Sequence, residues 1–124
     1  MRISHLDHLV LTISDLEKSL RFYGNVLDMR VERTGQKWAV RFGKQKINFH
    51  VRPAEFLPAA KAPTPGSADL CLITEDSLES VLSELNEKGV AIEEGIVQRT
   101  GSQGPISSIY IRDPDQNLIE IGRY

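Results

Sequence analysis

His8 and Asp69 stand at matching places in two similar stretches of the chain, and Glu120 lies in an apolar strand near its end. His8-Leu9-Val10-Leu11, followed by Asp15, Leu16, Glu17 and Leu20, is echoed by Asp69-Leu70-Cys71-Leu72, followed by Asp76, Leu78, Glu79 and Leu82. Self-similarity of this kind marks a duplicated supersecondary unit, and two units must pack together because each alone buries too little apolar surface. Each copy begins with a possible metal ligand and ends on a strand carrying polar residues. Imidazole and carboxylate together suit a borderline divalent ion, which acts as a Lewis acid on substrate oxygens. The competing reading is structural, since a lone strand histidine is more often a satisfied core residue than a ligand. Glu120, flanked by Ile119 and Ile121, is costly to bury without a partner in either reading.

The elements that must position these residues follow from periodicity. Leu6, His8, Val10 and Thr12 alternate with Asp7, Leu9, Leu11 and Ile13, so both faces of the first strand are largely apolar and covered, which puts His8 inside. Ser14-Asp15-Leu16-Glu17 has capping-box spacing with Ser14 as the cap, and Leu16, Leu20, Tyr23 and Leu27 recur at helical spacing. Residues 29–34, 37–42 and 46–51 read as three strands, with turns at Gly35-Gln36 and Gly43-Lys44. Residues 53–67 carry four prolines and suit a linker. The second unit repeats the order: a strand over 68–74, a helix over 77–88 closed by Gly89, and strands over 90–98, 106–112 and 117–122. Residues 99–105 read as a loop, and Asp113-Pro114-Asp115-Gln116-Asn117 as a tight turn feeding the last strand.

Composition narrows the function classes. With 124 residues, 40% of them hydrophobic, and a net charge of −2, the chain can bury one core and has no positive field for nucleic acid or anionic lipid. The polar-interrupted N-terminus does not read as a signal peptide, and no apolar run approaches the roughly 18 residues of a membrane span, so a cytoplasmic location is expected. The single cysteine, Cys71, cannot form an internal disulfide and reads as a small buried hydrophobe. His5 reads as solvated, Glu93, Glu94 and Arg99 as a solvated edge, and Tyr110 and Trp38 as core rather than substrate platforms.

The motifs together resemble the vicinal-oxygen-chelate superfamily, which includes glyoxalase I, extradiol dioxygenases and bleomycin-resistance proteins. The resemblance rests on Leu6-Asp7-His8-Leu9-Val10-Leu11, Phe22-Tyr23-Gly24-Asn25-Val26-Leu27, and Asp113-Pro114-Asp115 with Asn117-Leu118-Ile119-Glu120. It spans essentially the whole chain. Gln45-Lys46-Ile47-Asn48-Phe49-His50, Gly66-Ser67-Ala68-Asp69-Leu70-Cys71 and Arg99-Thr100-Gly101 are similar to the glyoxalase-domain proteins labelled as related to biphenyl-diol dioxygenases. Such labels record similarity rather than a reaction.

The resemblance implies an α+β fold in which two tandem βαβββ modules form a half-barrel cup around a metal site. It implies one domain over residues 1–124, with module one at about 4–52, a linker at 53–67 and module two at 68–124. His8 falls on the first ligand position, Asp69 on its counterpart, where histidine is more usual, and Glu120 on the final-strand glutamate. Aligning Gln45-Lys46-Ile47-Asn48 with Asn117-Leu118-Ile119-Glu120 puts Asn48, a weak ligand, at the fourth position. His50 faces the same side as Asn48 by strand alternation, and either completes the metal shell or polarises substrate. The ligand set implied is thus His8, His50, Asp69 and Glu120, for Ni, Zn, Co, Mn or Fe(II), with Glu120 and His50 catalytic. The expected activity is that of a metal-dependent glyoxalase-like lyase or isomerase on a small oxygenated substrate such as a methylglyoxal–thiol hemithioacetal. An extradiol dioxygenase using Fe(II), or a non-catalytic drug-binding resistance protein, are the alternatives. A homodimer is expected from the resemblance alone.

Overall fold

Residues 1–124 are described by a computed structural model, in which the chain divides into two compact units, Met1–Gly66 and Ser67–Tyr124. Together they hold two four-stranded mixed sheets and few helices, an α+β arrangement of two tandem βαβββ modules. No helix is long and apolar enough to cross a membrane.

In the first unit β1 (His8–Thr12) leads to α1 (Leu16–Leu20), and three antiparallel-linked strands follow: β2 (Arg30–Thr34), β3 (Lys37–Phe42) and β4 (Gln45–His50). Their order in the sheet is β1-β4-β3-β2, with β1 parallel to β4. The helix begins one residue later than the capping box implies. Asp15, in extended backbone, accepts from Lys18 N at 2.9 Å, so Asp15 rather than Ser14 is the cap. Aspartate and serine cap comparably, and the position of the first free amides decides between them.

The helix then widens into a π-helical stretch, Arg21–Val26, whose i→i+5 bond runs from Leu27 N to Phe22 O at 3.1 Å. The extra residue per turn brings Phe22 and Tyr23 side by side into the core, in place of the simple Leu16-Leu20-Tyr23-Leu27 stripe. Their rings meet edge to face at 5.0 Å, and Tyr23 lies 5.5 Å from Phe49 of β4. Leu11, Val40, Ile47 and Phe49 build this face of the sheet, and each buried side chain contributes roughly 1.5–3 kcal/mol.

The opposite face of the same sheet is open, contrary to the expectation for β1. His8, Val10 and Thr12 share it with Lys46, Asn48 and His50. The His8 side chain is 45% exposed and Val10 43% exposed. Alternation identifies two faces, but only the helix decides which is covered, and it covers the face of Leu11 and Phe49.

The second unit repeats the plan with β5 (Asp69–Ile73), α2 (Leu78–Glu87), β6 (Glu94–Gly101), β7 (Gly104–Arg112) and β8 (Leu118–Arg123), in sheet order β5-β8-β7-β6. Ser77 caps α2 by accepting from Ser80 N at 3.2 Å, and Gly89 at φ +72° closes it. Leu78, Val81 and Leu85 are buried, as are Ile109, Ile111, Ile119 and Ile121 of β7 and β8. The Asp113–Asn117 turn is tied by the Asp113 carboxylate, which accepts from the amides of Asp115 and Asn117 and from Asn117 Nδ2 at 2.8–2.9 Å. Asn117 Oδ1 in turn accepts from Ala68 N, anchoring the start of β5.

Two segments of this unit depart from the sequence reading. Residues 99–101 are strand rather than loop, because Arg99 pairs with Ile106 and lies over the Tyr110 ring at 5.5 Å. The turn shrinks to the residues between Gly101 and Gly104. Cys71 is exposed rather than buried, because it lies on the face away from Leu70 and Leu72.

Candidate functional site

The registers of the two sheets are equivalent at the positions of interest. In the first unit Val10 is opposite Asn48, and in the second Cys71 is opposite Glu120. His8 is therefore diagonal to Asn48 as Asp69 is diagonal to Glu120, and all four project from the sheet faces that the helices leave open. His50 lies opposite Thr12, four residues beyond the level of His8, or about 13 Å along the strand. Within neither unit do three His, Cys, Asp or Glu side chains gather into a metal-binding cluster.

His8 is held by its sequence neighbour. Its Nδ1 lies 2.7 Å from Asp7 Oδ2, and because an ionised carboxylate only accepts, Nδ1 is the donor of this bond. The same hydrogen bond holds the Asp7 carboxyl below its ordinary range. A carboxylate fixing the far nitrogen of an imidazole is the usual outer support of a metal-ligating histidine. His5 is exposed and bonds Ser4 Oγ instead.

Glu120 is partly buried and supported from β7. Ser108 Oγ, fully buried, donates to Glu120 Oε1 at 2.5 Å, and the Cys71 and Tyr110 side chains also reach this carboxylate. Tyr110 lies directly opposite Glu120, and Cys71 faces it from β5. Partial burial, followed by the Glu120 charge, pushes the Cys71 thiol up to about 11, so the exposed sulfur is a protonated, sluggish nucleophile at neutral pH. At the margin, Arg99 bonds Glu94 at 3.2 Å and Arg112 bonds Glu93 at 2.9 Å, both half-exposed, in keeping with a solvated edge.

Each unit carries donor types that a borderline divalent cation accepts: the imidazole of His8 in the first, and the carboxylates of Asp69 and Glu120 in the second. Asn48 is a neutral and weaker donor at the position equivalent to Glu120. The supporting groups Asp7 and Ser108 escaped sequence reasoning. Asp7 is adjacent to His8 and was visible as a partner, whereas Ser108 becomes one only through the β7–β8 register.

The open face of the first unit also carries a cavity of about 260 Å3. His50 and Asn48 line it, and Phe56, from the segment expected to be only a linker, closes over His50 with ring centroids 5.4 Å apart. Trp38 borders it, although its pairing with Phe49 and Arg33 places the side chain on the other face of the sheet, where the Arg33 guanidinium lies 5.0 Å from its ring.

Residues 5–121 match the family model described as the Glyoxalase/Bleomycin resistance protein/Dioxygenase superfamily. The chain belongs to this superfamily. It is 53% identical to "Virulence protein STM3117" of Salmonella typhimurium, over all of this chain and 87% of that protein. The crystal structure of that protein superposes with a TM-score of 0.96, at 52% identity, covering 100% of this chain and 99% of the other. "Glyoxalase domain-containing protein RDO1" of Mycosarcoma maydis is 48% identical, over all of this chain and 70% of that protein. A more distant relative, "Metallothiol transferase FosB" of Lysinibacillus sphaericus, is 27% identical over 97% of this chain and 82% of its own length. Superfamily members share the duplicated βαβββ plan while differing in chemistry, so the reaction must be argued from the side chains.

Proposed function

We propose that this superfamily member is a metal-dependent, glyoxalase-like lyase or isomerase acting on a small oxygenated substrate, such as the hemithioacetal of methylglyoxal and a thiol. The observation that carries the reading is the equivalent placing of His8 and Asn48 in one sheet and of Asp69 and Glu120 in the other. His8 is held at Nδ1 by Asp7 and Glu120 at Oε1 by Ser108. The name of the metallothiol transferase relative supports a metal and a thiol in this branch of chemistry.

In this reading His8, Asp69 and Glu120 hold one divalent ion of the Ni, Zn, Co, Mn or Fe(II) class. The register favours His50 as a cavity residue that polarises substrate over His50 as a fourth ligand. Such an ion would supply Lewis acidity toward a substrate oxygen. Glu120, oriented by Ser108, would leave the ion to take the proton from the sulfur-bearing carbon and return it to the adjacent carbonyl carbon, while the hydroxyl proton passes to the neighbouring oxygen, converting hemithioacetal to thioester. No external oxidant is needed, because one carbon is oxidised as its neighbour is reduced.

The two units act as one domain, in a cytoplasmic homodimer that binds only small molecules. Thioester formation from methylglyoxal and a thiol, followed with and without chelator, tests the activity. Chelator-sensitive turnover supports it. Oxygen uptake with a catechol and Fe(II) would replace it with ring cleavage, and ligand binding that survives chelation without turnover would replace it with sequestration.

A further inference from the structure

The second unit has a cleft of about 250 Å3 between the first turn of α2 and strands β6, β7 and β8, lined by Leu78, Glu79, Ile96, Ser107, Arg123 and Tyr124. Ser107 and Arg123 alternate in phase with the buried Ile109 and Ile121, so they lie on the face of the sheet that α2 covers rather than on the face of Glu120. They are also directly opposite each other in the β7–β8 register. Ser107 Oγ accepts from Gln98 Nε2 at 2.7 Å, which leaves its own proton to donate. The Arg123 guanidinium and the Glu79 carboxylate make no side-chain hydrogen bond or ion pair with the protein, with each other included. One cleft thus holds two opposite charges apart, the cation on the sheet and the anion on the helix. Ile96 and Tyr124, 37% and 50% exposed, give it open apolar walls, and the Tyr124 ring is held in place by Gln103 N, which donates to its hydroxyl at 2.9 Å.

We propose that this cleft binds the zwitterion of a small α-amino acid, with its carboxylate on Arg123 and Ser107, its ammonium on Glu79, and an apolar side chain against Leu78, Ile96 and Tyr124. A guanidinium takes a carboxylate through two parallel N–H bonds, and the neighbouring hydroxyl adds a third donor at the same level of the sheet. Opposite charges held apart select a molecule that carries both, because a simple anion or cation leaves one of them unmatched. Concave apolar walls with a few convergent polar groups are the usual form of a small-molecule site. The volume lies below the roughly 300–1,000 Å3 of drug-sized sites, so the occupant is a single amino acid rather than a peptide. The inference goes beyond the function proposed above and needs neither a metal nor turnover.

Isothermal titration of the full-length protein, as purified and after chelation, compares L-leucine with two blocked forms: L-leucinamide, which lacks the carboxylate, and N-acetyl-L-leucine, which lacks the ammonium. Leucine is expected to bind saturably in both preparations, and each blocked form to bind more weakly by about tenfold or more, as the loss of a charge-assisted contact implies. Arg123→Met should weaken leucine to the level of leucinamide while keeping the preference over N-acetyl-leucine, and Glu79→Gln should do the reverse. Both side chains are exposed, so neither substitution disturbs the core. No binding of leucine, equal binding of the three probes, or variants that bind leucine as the parent does would overturn the proposal. Leucine binding that disappears on chelation would overturn it too, by placing the amino acid on a metal ion instead of the cleft.

Discussion

Ser108 donates its hydroxyl to Glu120 across the β7–β8 pair at 2.5 Å, from a position with no solvent exposure. A buried hydroxyl committed to a carboxylate orients that carboxylate, so one bond links the architecture of the second unit to its chemistry.

Ser108→Ala removes the bond while leaving the sheet intact. Loss of a hydrogen bond to a charged group is expected to lower stability by about 1–3 kcal/mol, measured by urea unfolding. If Glu120 is a metal ligand, affinity for the divalent ion falls in the same variant by roughly 10–100-fold.

Asp7→Asn tests the other gripped ligand. Asp7 is exposed and its carboxyl is held low by the His8 hydrogen bond, so the bond's contribution is present at neutral pH and lost as the solution is acidified through the lowered value. The substitution should scarcely change the unfolding midpoint, because the pair is solvent-screened. Metal affinity measured calorimetrically should fall by about 10–100-fold, since an unsupported imidazole loses both its tautomer and its orientation.

Much of this arrangement was legible before the structure, because the duplication fixed the order of elements and short-range chemistry fixed several ends. Ser77 and Gly89 bound α2, and Asp113 and Asn117 tie their turn, through contacts only a few residues apart in the chain. What was not legible depended on which sheet face meets a helix. Cys71 has apolar neighbours on both sides, so alternation alone could not say that it faces Glu120 rather than α2. The same ambiguity put His8 inside. Phe56 read as linker because its partner His50 is met only on folding, and residues 99–101 read as loop because Arg99 meets Ile106 and Tyr110 only across the β6–β7 pair.

Cys71 offers a pH test of that corrected face. With the thiol raised to about 11 by partial burial and then by the Glu120 charge, alkylation by iodoacetamide at pH 8 should be slow despite the exposure, and should accelerate as pH rises toward 11. Glu120→Gln removes the neighbouring charge, so the thiol pKa drops and the rate at pH 8 increases. A parent rate at pH 8 equal to that of an unfolded peptide would contradict the placement.

Gly122 is where β8 must pass without a side chain. A Cβ there would lie 2.5 Å from Ile106 Cδ1 and 3.2 Å from Cys71 Sγ. Gly122→Ala is expected to cost about 1–3 kcal/mol by overpacking. Adding Ile106→Val, which removes the clashing methyl, should restore part of that loss in denaturant unfolding.

The central claim is that His8, Asp69 and Glu120 serve one divalent cation. Isothermal titration of the chelated full-length protein with Ni, Zn, Co, Mn and Fe(II), repeated on His8→Ala, Asp69→Asn and Glu120→Gln, tests it most directly. The account predicts one ion bound per chain in the parent and a loss of about tenfold or more in each variant. A parent that binds no divalent ion, or three variants that bind as tightly as the parent, would contradict it.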